Sequence, residues 1–157
     1  MLSLLLRNLL FTILQPGVVA GLFPYLILRR RGYELVPDAW SVAQCVGAVL
    51  MVVGFSIMVA CILRFATEGK GTLSPLDPTK KLVVRGLYRY SRNPMYVGVM
   101  ILLTGEALFW WSPALAWYAA VVFVGFNLFI LLHEEPRLRR EFGEEYEMYV
   151  QQVRRWI

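Results

Sequence analysis

The sequence predicts an all-α integral membrane protein, a bundle of about four transmembrane helices with an amphipathic C-terminal helix at its cytoplasmic face. Three observations carry this. Hydrophobic residues make up 58% of the 157 positions and charged residues 17%, whereas a soluble domain holds about 45–50% and about 25%. Four apolar stretches approach the roughly 20 residues that a helix needs to cross a bilayer. The charge is also clustered: of 16 Lys and Arg, seven fall between Arg64 and Arg92 and five from Arg137 onward. The length suits one domain, 1–157. Cys45 and Cys61 lie inside an apolar run, as small core residues and not as a bridge or metal site.

The first span is expected over about 9–28, interrupted by Gln15-Pro16-Gly17 and by Pro24, and the second over about 42–63, uncharged throughout. The third and fourth run over about 94–111 and 113–132, joined at Trp110-Trp111-Ser112-Pro113. That junction is a tight hairpin whose tip sits at the far interface, where Trp is enriched. The open ends, near Arg92 and His133, then share one side, and the basic segments make that side cytoplasmic. Thirteen basic residues, Arg7 included, fall inside, against Arg29, Arg30 and Arg31 outside.

Between the second and third spans, Gly69-Lys70-Gly71-Thr72, Pro75 and Pro78 mark turns, and Leu82-Val83-Val84 with Gly86-Leu87-Tyr88 marks a short ordered stretch. Beyond Pro136, Phe142, Tyr146, Tyr149, Val150, Val153 and Trp156 recur at helical steps, opposite Glu144, Glu145, Glu147, Gln151, Arg154 and Arg155. One amphipathic helix is predicted there.

There is one histidine, and there is no GxSxG, HExxH, CxxC or Walker loop. No metal site is predicted, and no nucleic-acid-binding pattern accompanies the charge. Polar residues instead gather at two span mouths: Arg92-Asn93-Pro94-Met95-Tyr96 and His133-Glu134-Glu135. An arginine beside two carboxylates at helix ends suits a zwitterionic or cationic ligand. Each residue also has a plain reading: Arg92 as a positive-inside anchor, Asn93-Pro94 as a helix start, Tyr96 as an interfacial aromatic and His133 as a structural side chain. Glu106, inside the third span, either snorkels or pairs with Asn127.

Taken together, Leu82-Val83-x-x-Gly86-x-Tyr88-x-x-x-Arg92-Asn93-Pro94-x-Tyr96-x-Gly98 resembles the isoprenylcysteine carboxyl methyltransferase family. So do Gly71-Thr72-x-x-Pro75 and the later run from Glu134-Glu135-Pro136 through Phe142-Gly143, Tyr146 and Tyr149 to Val153-x-Arg155-Trp156. The related phospholipid methyltransferases share the paired glutamates. The resemblance implies a membrane-embedded methyltransferase using S-adenosyl-L-methionine, with its cofactor-binding part over about 69–157 and its site at the cytoplasmic face. It places the cofactor against Lys80, Lys81, Leu82, Val83, Tyr88, Asn93, Pro94, Met95, Tyr96, His133 and Glu134. Arg92 and Glu135 become the catalytic candidates. Ile130 stands at a substrate-binding position where the family has Arg, and Asn93 stands where the eukaryotic pattern has His. The acceptor implied is lipophilic and enters from the bilayer, and membrane lipids are the expected surroundings. No obligate protein partner is indicated.

Carboxyl O-methylation and lipid-amine N-methylation both stay open. The classes set against them are a non-enzymatic membrane scaffold that kept the fold, supported by Ile130, and a transporter, supported by the broken first span.

Overall fold

The computed structural model describes residues 16–34, 40–64 and 82–157, which contain helices and turns and no strand. Residues 9–15 of the expected first span, the turns from Gly69 to Pro78, and Lys80 and Lys81 lie outside the described residues.

A π-helical turn, Val18–Leu22, leads into α1, Phe23–Arg30. Pro24 explains the turn. It has no N–H to give, and the Phe23 N–H reaches back five residues to the Val18 carbonyl. The Val19 carbonyl, left without a helical donor, accepts from the Tyr118 hydroxyl at 2.7 Å. α1 closes in a Schellman motif: Tyr33 N–H donates to Leu28 O and Gly32 N–H to Arg29 O, with Gly32 at φ +69°.

α2, Val42–Arg64, begins at a reciprocal capping box. Ser41 N–H donates to Gln44 Oε1 at 2.8 Å and Gln44 N–H to Ser41 Oγ at 3.3 Å. α3, Pro94–Phe109, starts with proline in its first turn. α4, Pro113–Phe129, is capped by Ser112 Oγ, which accepts from Leu115 N–H. The hairpin between α3 and α4 turns at Trp111, φ +46°. Trp110 Nε1 donates to Glu34 O at 3.1 Å, so the end of α1 sits at the hairpin tip, opposite Arg92.

α2 and α3 pack backbone against backbone through glycines seven apart on each helix. A Cβ on Gly47 would stand 2.8 Å from Gly105 O, and one on Gly54 2.6 Å from Gly98 O. Such close approach needs residues without side chains. Around this seam Met58, Val99, Leu102 and Leu103 join Ala20 and Ala119 in the central core. The outer faces keep large apolar residues exposed, among them Val49, Val52 and Phe55 on α2 and Trp117, Val121 and Val124 on α4. α2 and the continuous helix Pro113–Phe142 are long and apolar enough to cross a membrane; α3, 16 residues long, is apolar but shorter.

The C-terminal third differs from expectation. The helix does not end near Leu132: it passes through a second π turn, Ile130–Glu134, into α5, Glu135–Phe142. The cause repeats that at Pro24. Glu135 N–H bonds Ile130 O, five residues back, and Pro136 follows without an N–H. The single amphipathic helix predicted after Pro136 is also broken. Gly143, at φ +51°, separates α5 from α6, Glu144–Gln152, and Val153 turns the chain into an extended tail. Tyr146 and Tyr149 are buried and Glu144, Glu145 and Glu147 exposed, but Val153 and Trp156 belong to the tail.

Candidate functional site

The site candidates converge where the α3 N-terminus, the second π turn and the tail meet. A 3₁₀ turn, Gly86–Arg89, points Tyr88 inward against Cys61 and Val83, with Met95 packed alongside. Burial pushes the Tyr88 hydroxyl well above its ordinary pKa. The Tyr88 carbonyl accepts from the Tyr149 hydroxyl at 2.6 Å, which ties this turn to α6. Leu82 packs against the Tyr146, Tyr149 and Val153 cluster.

The π turn decides which side chains face inward. With one extra residue in the turn, positions five apart line up instead of four. Ile130 is 0% exposed and Glu135 is buried beside it, while His133 lies outside with its ring 5.3 Å from that of Phe129.

Glu135 is the hub. Oε1 accepts from Arg92 Nη1 at 3.1 Å and from Arg155 Nε at 2.8 Å, and Oε2 from Arg155 Nη2 at 3.1 Å. The Arg92 and Glu135 side chains are each 11% exposed. Two guanidinium groups on one carboxylate leave the trio one positive charge in excess. Arg92 Nη1 also reaches the Tyr146 hydroxyl at 3.4 Å, and burial holds that hydroxyl protonated by pushing its pKa up. The hydrogen bond to Glu135 raises the pKa of Arg155, so it stays charged.

Glu134 stands apart from this trio: Oε2 accepts from the Tyr96 hydroxyl at 3.0 Å, and the Tyr96 ring lies 4.5 Å from Phe126. Among the described residues, the buried Arg92 Nε makes no hydrogen bond, and Arg137 Nε makes none but faces Glu141 Oε1 at 3.7 Å. A buried polar atom without a partner is uncommon in a folded protein and points to a missing ligand group.

Asn93 is committed elsewhere. It is buried, and its Nδ2 donates to the Arg155 carbonyl at 3.0 Å. Ser91 Oγ donates to the same carbonyl at 3.3 Å, and Arg92 N–H donates to Arg154 O at 2.9 Å. Trp156 completes the tail's attachment, with Nε1 on Asn127 Oδ1 at 3.2 Å and its ring 5.1 Å from Phe123. Asn127 is thus taken by Trp156 and does not pair with Glu106, whose buried Oε2 has no hydrogen-bond partner among the described residues.

The structure brings Arg92, Glu135, Tyr96 and Glu134 together, places Pro94 and Met95 beside them, and leaves His133 at the surface. Residue-by-residue reading missed Arg155, Tyr146 and Arg137. The usable signal for Arg155 was the motif ending in Arg155-Trp156.

The family model for phospholipid methyltransferases matches residues 42–145, more than half of the chain. A probable protein-S-isoprenylcysteine O-methyltransferase of Oryza sativa is 29% identical over 147 residues, 91% of this chain and 70% of the relative. Protein-S-isoprenylcysteine O-methyltransferase B of Arabidopsis thaliana is 36% identical over 73 residues, 46% of this chain and 37% of the relative. An uncharacterized protein of Haemophilus influenzae is 38% identical over 64 residues, which span 40% of this chain and all of the relative. No solved structure matches the chain significantly. Motif, helical architecture and family match lead to one conclusion: the chain belongs to the phospholipid methyltransferase family.

Proposed function

We propose that this protein is a multi-pass membrane methyltransferase, one domain of four spans over 1–157, that uses S-adenosyl-L-methionine to methylate the carboxylate of a lipophilic acceptor at the cytoplasmic face. The observation that carries the reading is the Arg92–Glu135–Arg155 trio, closed around the buried Glu135, set beside the Tyr96–Glu134 pair at the mouth of the α3–α4 hairpin.

The residues fit such a donor. Glu134, with one hydrogen bond from Tyr96, keeps acceptor capacity for an ammonium or ribose hydroxyls. Arg92 Nε, without a hydrogen bond among the described residues, is left for the acceptor, whose carboxylate it suits. Tyr96 offers an aromatic face to a cation, and Leu82, Val83, Tyr88, Asn93, Pro94 and Met95 wall the same region. Lys80 and Lys81 belong to the proposal through the motif.

When bound, the donor supplies an electrophilic methyl group and leaves as the neutral thioether S-adenosyl-L-homocysteine. The chain's own part is positioning and exclusion of water. Arg92, steadied by Glu135, holds the acceptor carboxylate, which turns into an ester with no proton to place.

A second reading, methylation of a lipid amine, is favoured by the phospholipid methyltransferase match and by Ile130, which replaces a substrate-binding Arg. An amine must lose one proton, and Glu134, beside Tyr96 at the mouth, is the base for it, since His133 faces outward and Glu135 is held by two arginines. Two measurements test these readings. Purified protein is titrated with S-adenosylhomocysteine, and transfer of labelled methyl is followed to a farnesylated cysteine and to phosphatidylethanolamine vesicles. Ester formation on the first supports the main reading and amine methylation the second. Absence of saturable binding and of transfer sinks both.

A further inference from the structure

We propose that Arg155 is a positioning residue for methyl transfer, acting through Glu135 to orient Arg92, and that the tail 153–157 is the clasp that sets it. This rests on the methyltransferase reading above.

The geometry is specific to this role. Arg155 engages both carboxylate oxygens of Glu135 through Nε and Nη2, a fork that fixes the carboxylate plane. Arg92 reaches Oε1 of the same carboxylate through Nη1, so its guanidinium direction follows from that plane. The tail then registers Arg92 a second time through the main chain, because the Arg154 carbonyl accepts the Arg92 N–H. Asn93 and Ser91, on either side of Arg92, both bond the Arg155 carbonyl.

These main-chain bonds require the tail to leave the helix. Val153, at φ −125° and ψ +129°, turns the chain extended and lets successive carbonyls face residues 91–93. Trp156 holds that course by its contacts with Asn127 and Phe123 on α4. One side chain and two adjacent carbonyls thus act on one short segment, and Arg155 is 32% exposed at its outer edge, within reach of solutes.

The experiment is a double-mutant cycle on the full chain in detergent or vesicles, with Arg155→Ala, Glu135→Gln and the double variant. Three quantities are read: affinity for S-adenosylhomocysteine, the initial rate of methyl transfer to whichever of farnesylated cysteine and phosphatidylethanolamine the wild type methylates, and the melting temperature. Arg155→Ala is expected to lower the rate about ten-fold while S-adenosylhomocysteine affinity stays within about two-fold. In the Glu135→Gln background the same change adds less than about two-fold, because the two act as a unit. Added guanidinium ion restores part of the Arg155→Ala rate and none in the double variant. Multiplying effects, an unchanged rate, or no rescue in a variant that melts like wild type overturns the proposal. Should Arg155→Ala not fold, Arg155→Lys, which keeps charge and loses the fork, is compared in the same cycle. A wild type that binds S-adenosylhomocysteine and transfers methyl while Arg155 variants match it overturns the positioning role alone; a wild type that does neither removes the methyltransferase reading, and this role with it.

Discussion

The Tyr96 hydroxyl meets Glu134 Oε2 at 3.0 Å across 38 residues of sequence. Among the described residues it is the one hydrogen bond to the Glu134 carboxylate, whose pKa burial pushes up while this bond and the Arg137 charge oppose the shift. Glu134→Gln is therefore expected to fold normally and to bind S-adenosylhomocysteine about ten- to a hundred-fold more weakly, the equivalent of a charge-assisted hydrogen bond. Tyr96→Phe, which removes that hydrogen bond and keeps the carboxyl group, should weaken binding only a few-fold. Titration calorimetry separates the two, and unchanged affinity in Glu134→Gln would take this residue out of the donor site.

Arg92 has two partners at Nη1 and a silent Nε. Arg92→Lys keeps the charge and loses the planar fork. The expected outcome is a depressed turnover with affinity for S-adenosylhomocysteine within about two-fold. Turnover near wild type would reduce Arg92 to a membrane-face anchor, and a joint fall of affinity and turnover would make it a brace for the donor site.

The α2–α3 seam gives a stability prediction independent of function. A methyl group at residue 54 would meet Gly98 O and Leu102 N, both backbone atoms, at 2.6 Å. Gly54→Ala is expected to cost about 1–3 kcal/mol, as overpacking does, and to lower the melting temperature. Gly125→Ala, in the same type of helix but with open space where its Cβ would stand, should be neutral or mildly stabilising. Equal effects at both positions would contradict the packed seam.

Orientation can be read by thiol labelling in a Cys45→Ala background, since Cys45 is exposed and Cys61 buried. Ser112 is a poor reporter, being buried and capping α4. Trp111→Cys and Tyr90→Cys, both at well-exposed positions, serve better. An impermeant maleimide is expected to label the first in intact cells and the second only after permeabilisation. The reverse pattern would turn the protein over in the membrane.

Helix limits were legible in the amino-acid order because local signals set them. Ser41 and Gln44 cap α2, proline opens α3 and α4, and long uncharged runs between them leave few alternatives in apolar surroundings. The polar mouths were legible too, since an arginine and two glutamates beside apolar runs stand out by composition. Three features came only with the tertiary structure. The π turn before Pro136 aligns Ile130 with Glu135 and turns His133 outward; a one-residue change of register rotates every following side chain, and no periodicity in so short a stretch reports it. The predicted amphipathic helix breaks at Gly143 and Val153 because tail carbonyls satisfy Ser91, Arg92 and Asn93 better than a further helical turn would. Finally, the partner of Glu135 is decided by packing across 43 residues to Arg92 and 20 to Arg155. Composition and spacing determine which segments form helices in this protein, because those choices are made residue by residue; which charges meet in its buried cluster depends on how the helices and tail come together in space.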